Sequence, residues 1–204
     1  YLFIYPEIII TIALCSIIII DLFLPDKFKN FSYYLIQATL LYCGYNIFSS
    51  FDFLNSNTSY LYDTSTFSNI FKIFILSILI LIFYYTSIFL KYFDLYKTEY
   101  FVISLFGLLG MMIMISSQHL LLLYLGIELL SLSLYSIIAF NKNSIFSSEA
   151  AVKYYILGAI SSGFLLFGIS LIYGLTGSLF YHEIFEQLNI LNLDPIQNDM
   201  RTIG

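Results

Sequence analysis

Two side chains in this sequence could hand a proton through hydrocarbon. Glu128 stands near the middle of the apolar run HLLLLYLGIELLSLSLYSIIAF, and Lys153 stands near the start of the run EAAVKYYILGAISSGFLLFGISLIY. A charge near mid-bilayer costs at least about 2.5–3.5 kcal/mol on the lenient insertion scale, so a carboxylate there is protonated, paired or wetted. A group that switches among those states is what a proton relay needs. The plainer reading is a neutral Glu hydrogen-bonded between helices. At 1.5 Å of rise per residue, Glu128 lies roughly 12 Å from one face of the bilayer and Lys153 roughly 8 Å from the other. Lys153 therefore also fits a snorkelling lysine whose amine reaches the headgroups. The two groups differ by roughly 10 Å in depth, which suits coupling through water rather than a direct ion pair. Glu149, four residues before Lys153, can bond it along one helix face. Ser131, Ser133, Tyr135, Ser161 and Ser162 could extend a polar path or simply let helices approach. His119 fits a hydrogen-bonded turn better than a proton port.

The elements that hold these groups must be membrane helices. The chain is 60 % hydrophobic and only 10 % charged, with a mean hydropathy of +0.89, against roughly 25 % charged in a soluble domain. Spans of about 20 apolar residues fall at about 4–24, 31–51, 70–92, 100–117, 119–140 and 148–175. This predicts an all-α integral membrane protein, a bundle of six transmembrane helices over residues 1–177. Residues 178–204 read as an interfacial amphipathic helix and a polar tail, with Phe180, Ile184, Phe185, Leu188 and Leu191 on the apolar face. Residues 52–69 read as a loop, with Lys72 marking the end of the third span. The fourth and fifth spans, nearly without a linker, predict a tight antiparallel hairpin. Gly158/Ser162 and Ala159/Gly163 predict a helix contact face. Lys27, Lys29, Lys91, Lys97 and Lys142 all fall in alternate loops, which puts those loops inside and both termini outside.

Other chemistry is excluded by what the residues lack. The net charge of −5, with no basic cluster, offers no nucleic-acid surface. Cys15 and Cys43 sit inside apolar runs, without metal-ligand spacing, so no metal and no cofactor are expected on this chain. The opening YLFIYPEIII shows no basic leader or cleavage site. With 21 Phe, 19 Tyr and no Trp, the composition favours residues with A/T-rich codons, as in an organelle genome or an A/T-rich bacterium.

The blocks LGIELLSLSLY and EAAVKYYILGA, in that order, closely resemble the chain 2 type of antiporter-like membrane subunit of proton-pumping NADH:quinone oxidoreductase, respiratory complex I. The resemblance runs from Gly107 to Leu179, and Pro6-Glu7 is similar to the family's start. It implies the N-terminal part of an antiporter-like bundle. Glu128 then matches the family's mid-membrane glutamate, and Lys153 matches the lysine of its sixth helix, both in a chain of protonatable groups. It implies other membrane-arm subunits and membrane lipid as partners, redox centres on other chains, and a mitochondrial or bacterial inner membrane. Family members carry more helices than six, and the lysine that usually partners the glutamate has no position here. That implies a second chain with the remaining helices, or a truncated one. A structural scaffold or an antiporter subunit without redox partners stays as the alternative.

Overall fold

The computed structural model describes residues 5–23, 29–49, 65–92 and 98–189, and they are helical almost throughout. Six long helices follow one another: α1 (Tyr5–Phe23), α2 (Lys29–Ser49), α3 (Thr66–Tyr92), α4 (Thr98–Ser116), α5 (Leu120–Ile138) and α6 (Ile145–Thr176). All but α2 are long and apolar enough to cross a membrane. The 21 residues of α2 also suffice in length, but Gln37 and Asn46 make it more polar. Their amides are satisfied within the helix, on the Tyr33 hydroxyl at 3.1 Å and the Tyr42 carbonyl at 2.8 Å. A seventh, short helix covers residues 181–189.

Two polar knots tie the helix ends together and show their alternating sense. Glu7 at the start of α1 meets Lys72 near the start of α3 and Ser116 at the end of α4. Asp21 at the other end of α1 accepts from Ser32 Oγ on α2 at 2.9 Å and from Thr98 Oγ1 at the start of α4 at 2.6 Å. Successive helices therefore run antiparallel. We call the end that holds Glu7 proximal and the end that holds Asp21 distal.

The core lies between α1, α2, α3 and α4. Ile10, Leu14 and Ile17 of α1 meet Ile36, Leu40 and Ile47 of α2, Leu76 and Phe83 of α3, and Phe101, Leu105, Leu108 and Met112 of α4. Half of α4 is buried, against about a fifth of α1 or α3, so α4 is the central post. Its other side crosses α5 at very short range. A Cβ added to Gly110 would sit 2.7 Å from the Gly126 carbonyl oxygen and 2.8 Å from the Leu130 amide nitrogen. Only glycine allows that approach, because the atoms met are backbone and cannot swing aside. Gly110→Ala should therefore cost about 1–3 kcal/mol, as overpacking does, and lower the melting temperature of the assembled protein.

The expected hairpin between α4 and α5 is present. His119 caps α5 by accepting from the Leu121 amide at 3.2 Å on Nδ1, and its ring meets Phe180 edge-on at 4.7 Å. The Leu120 amide also donates to the Leu179 carbonyl at 3.0 Å. His119 is thus the turn residue that the sequence suggests.

Two helix starts differ from expectation by three residues or more, and a cap explains each. The helix α3 starts at Thr66, so residues 66–69 are helix rather than loop, because Ser65 Oγ accepts from the Ser68 amide at 3.2 Å. The helix α6 starts at Ile145 rather than 148 because Ser144 caps it through the Ser147 amide. It ends at Gly177, whose φ of 70° takes the left-handed form that closes a helix. Of the expected amphipathic stretch, residues 181–189 are helix, with Ile184 half-buried and Phe185 and Leu188 exposed. Residues 190–204 lie outside the described residues, as do the lysines at 27 and 97 and most of the loop expected at 52–69.

Candidate functional site

Glu128 enters the structure two residues after the Gly126 crossing, on the side of α5 turned toward α6. Together α5 and α6 enclose a cleft of about 320 Å³. Glu128 lines it with the hydroxyl-bearing Tyr124, Ser131 and Tyr135 from α5, and Tyr154, Ser161 and Ser162 from α6. The carboxylate is half-buried, and its Oε1 is buried with no hydrogen-bond partner among the described residues. Tyr124, one turn earlier, is the side chain that couples to it electrostatically. The site is thus an acid among hydroxyls, without a cation beside it among the described residues.

Lys153 stands apart, as the depth argument predicts. It does not line the cleft, and its Nζ bonds Glu149 Oε1 at 2.5 Å along the surface of α6. The register fixes the separation. The ring of Tyr135 meets those of Tyr154 and Tyr155 at 5.2 and 5.5 Å, so Lys153 sits near the level of Tyr135. Glu128 is two turns farther along α5, roughly 10 Å away.

The contact face expected on α6 is only partly realised. Gly158 and Ser162 face the cleft, whereas Ala159 and Gly163 are exposed and Gly163 meets nothing within 4 Å. Small-residue spacing shows that a helix can be approached closely, but not that a neighbour does so. The helix α6 packs substantially only on α5, and Leu157 and Phe164 are 68 % and 73 % exposed. At Gly158 the approach is real, since a Cβ would fall 1.8 Å from the Tyr135 hydroxyl. A phenol can turn away, so Gly158→Ala should cost about 1 kcal/mol or less while displacing Tyr135. Side-chain density in a structure of the variant checks this.

The structure adds groups that reading along the sequence passed over. Lys72 is not a charge at a span end. It is buried seven residues into α3, its Nζ 2.6 Å from Glu7 Oε1, with side-chain exposures of 3 % and 5 %. Ser116 Oγ donates to the same oxygen at 3.0 Å. Asp21, also unremarked, holds three helices at the distal end.

Comparison with known proteins follows from this geometry. Residues 117–202 match the family model described as NADH:quinone oxidoreductase/Mrp antiporter, TM. The chain is 45 % identical over 186 residues to NADH-quinone oxidoreductase subunit N of Thioalkalivibrio sulfidiphilus, covering 90 % of this chain and 38 % of that one. It is 41 % identical over 192 residues to the same subunit of Ruthia magnifica subsp. Calyptogena magnifica, covering 93 % and 39 %. The curated relatives that this chain resembles over most of its own length are thus NADH-quinone oxidoreductase subunit N proteins. The chain spans less than two-fifths of the length of these relatives. In fold, a chain of respiratory complex I from Thermus thermophilus with bound aureothin superposes with a TM-score of 0.70 at 23 % identity, over 90 % of this chain and 42 % of that one. The match to the family model contains both Glu128 and Lys153, whereas Glu7, Asp21 and Lys72 lie outside it. The chain is thus membrane-embedded, and its relatives are subunits of an enzyme complex.

Proposed function

We propose that this chain carries part of a proton path in the membrane arm of an NADH:quinone oxidoreductase, with Glu128 as the group that takes and releases the proton. The observation that supports this most is the cleft between α5 and α6, where a buried carboxylate oxygen without a partner among the described residues faces five hydroxyl side chains besides Tyr124. Hydroxyls both donate and accept, so they can order water beside the acid without fixing its proton. Lys153, in series with Glu128 rather than in contact, serves as the next charged group along the path. Electron transfer belongs to other chains, and no cofactor or metal is assigned here.

The uncovered face of α6 and the mouth of the cleft suit the helices that make up the rest of the relatives' length, on this polypeptide or on a second one. A lysine on those helices would supply the counter-charge that Glu128 lacks. Other membrane-arm subunits and lipid complete the surroundings. With the lysine-rich loops inside, the proximal end of the bundle faces outward. Residue bias toward A/T-rich codons favours a mitochondrial inner membrane, although the relatives compared are bacterial. Glu128→Gln in the assembled complex tests the relay through the ratio of protons moved to quinone reduced. An antiporter-type subunit, which the family description also allows, would co-purify without NADH-oxidising partners.

A further inference from the structure

Two acids lie on the core-facing side of α1, and they are treated differently. Asp21 has both carboxylate oxygens satisfied by hydroxyls, one from Ser32 and one from Thr98. Each of its oxygens has a donor, and it reads as a clamp. Glu7 takes both of its donors, Lys72 Nζ and Ser116 Oγ, on Oε1 alone. Its Oε2 is buried and has no partner among the described residues. Ser68, one turn before Lys72 on the same face of α3, is also buried with a hydroxyl that bonds nothing described. An ammonium has three N–H donors, and the one contact described for Lys72 Nζ is Glu7 Oε1. The knot therefore gathers unused donors and acceptors in one buried place, where polar atoms are normally paired through protein or water. Buried water typically makes about three hydrogen bonds, and one bonded to both Glu7 Oε2 and Lys72 Nζ would satisfy the acceptor and a spare donor together.

The location is equally specific. Glu7 lies roughly 3 Å, and Lys72 roughly 9 Å, from the starts of their helices, so the pair is shallow at the proximal end. From α2, the Cys43 thiol faces the same knot, its Sγ 3.8 Å from the Pro6 carbonyl oxygen. From α4, Ser116 is the facing polar group.

We propose that Glu7, Lys72 and Ser116 form a second proton-holding site of this chain, with bridging water as its ligand, at the outward end of the bundle. The proposal rests on the reading that the chain moves protons. In the step it implies, an N–H bond of the Lys72 ammonium breaks and an O–H bond forms on Glu7, leaving a neutral amine and a neutral acid. Glu7 then gives that proton to the bridging water, which passes it outward as hydronium and leaves the carboxylate. Lys72 takes a new proton from hydronium arriving from the inner side, which leaves as water. One proton has crossed the pair, and both groups are restored. The 2.6 Å N–O separation is short enough for direct transfer, and Ser116 holds the accepting oxygen in place.

Two variants in the assembled complex, reconstituted in lipid vesicles and driven by NADH and quinone, test this. Lys72→Arg keeps the positive charge and the ion pair, but Arg does not give up its proton. The pair Glu7→Met with Lys72→Met replaces both charges with apolar side chains of similar size, an exchange that is often neutral for folding. Both variants should assemble on native gels and translocate protons about 10²-fold more slowly through this path, the loss typical of a missing proton-transfer group. Wild-type translocation in either assembled variant overturns the proposal. Failure of both to assemble assigns the charges to folding and overturns it as well. Glu128→Gln, measured in parallel, separates the two readings. If it is impaired while the pair variants are normal, only the second site fails. If it translocates normally, the relay itself fails.

Discussion

Replacing Glu128 by Gln should leave the complex assembled and stop proton movement through this chain. The exchange keeps the shape and size of the side chain and removes only its titratable proton. The carboxylate makes no ion pair among the described residues, and its Oε1 has no partner to lose. The cost to folding should therefore be below about 1 kcal/mol, as for a change that creates no cavity and strands no charge. Removing a proton-transfer group typically slows the step it serves by about 10²-fold or more. The expected pattern is thus normal amounts of complex, quinone reduction that persists only to the extent that it is uncoupled, and a collapsed proton-to-quinone ratio in vesicles. Glu128→Asp, which still titrates but retracts into the cleft, should retain part of the ratio. Lys153→Met should fall between these and wild type. Its ion pair with Glu149 lies on an exposed face and contributes at most about 1 kcal/mol, so assembly should not change. A structural scaffold reverses the pattern, with Glu128→Gln lowering assembly and every assembled complex pumping normally. That result would sink the relay.

Glu128 was legible because it interrupts a long apolar run, where a charge has no boundary to explain it away. Glu7, Asp21 and Lys72 were not, because each lies close enough to the end of a run to pass as its edge. Helical phase would have exposed them. Glu7, Ile10, Leu14, Ile17 and Asp21 recur at alternating spacings of three and four, the pattern of one buried stripe. Ser68, Lys72, Leu76, Leu79 and Phe83, at spacings of three or four, likewise share one face of α3. A charge in phase with core residues faces the core, however near the run's end it stands.

The helices themselves were legible, since hydrocarbon thickness sets their length and few other patterns produce such runs. Their exact starts were not, because Ser65 and Ser144 decide them through capping side chains. The α4–α5 crossing was also hidden. Gly107, Gly110 and Gly126 allow it, but a close approach needs two partners, and a single sequence does not say which glycine meets which. The same limit misassigned Ala159 and Gly163, which are small without being approached.

Lys72→Met alone should be the single change that damages the fold most. It strands the Glu7 carboxylate among α1, α3 and α4 with one remaining donor, Ser116 Oγ, whose single hydrogen is also within reach of the Met112 carbonyl at 3.1 Å. Breaking a buried ion pair by removing one member costs about 3–5 kcal/mol, because the desolvation of the survivor is no longer offset. That is about 10²-fold or more in the folded fraction. Glu7→Met should cost a similar amount by stranding the ammonium. Making both changes together removes both desolvation terms, so the double variant should lose less than either single one. The three variants and the wild type close a double-mutant cycle, read as thermal loss of the assembled complex. A large favourable coupling shows that the pair was formed and buried at assembly. Additive losses would mean that Glu7 and Lys72 do not meet, and would remove the basis for both the proximal knot and the site proposed there. The cycle measures stability, whereas Lys72→Arg measures transport with the charge retained. The cost of burying this pair and the use made of it can therefore be established independently.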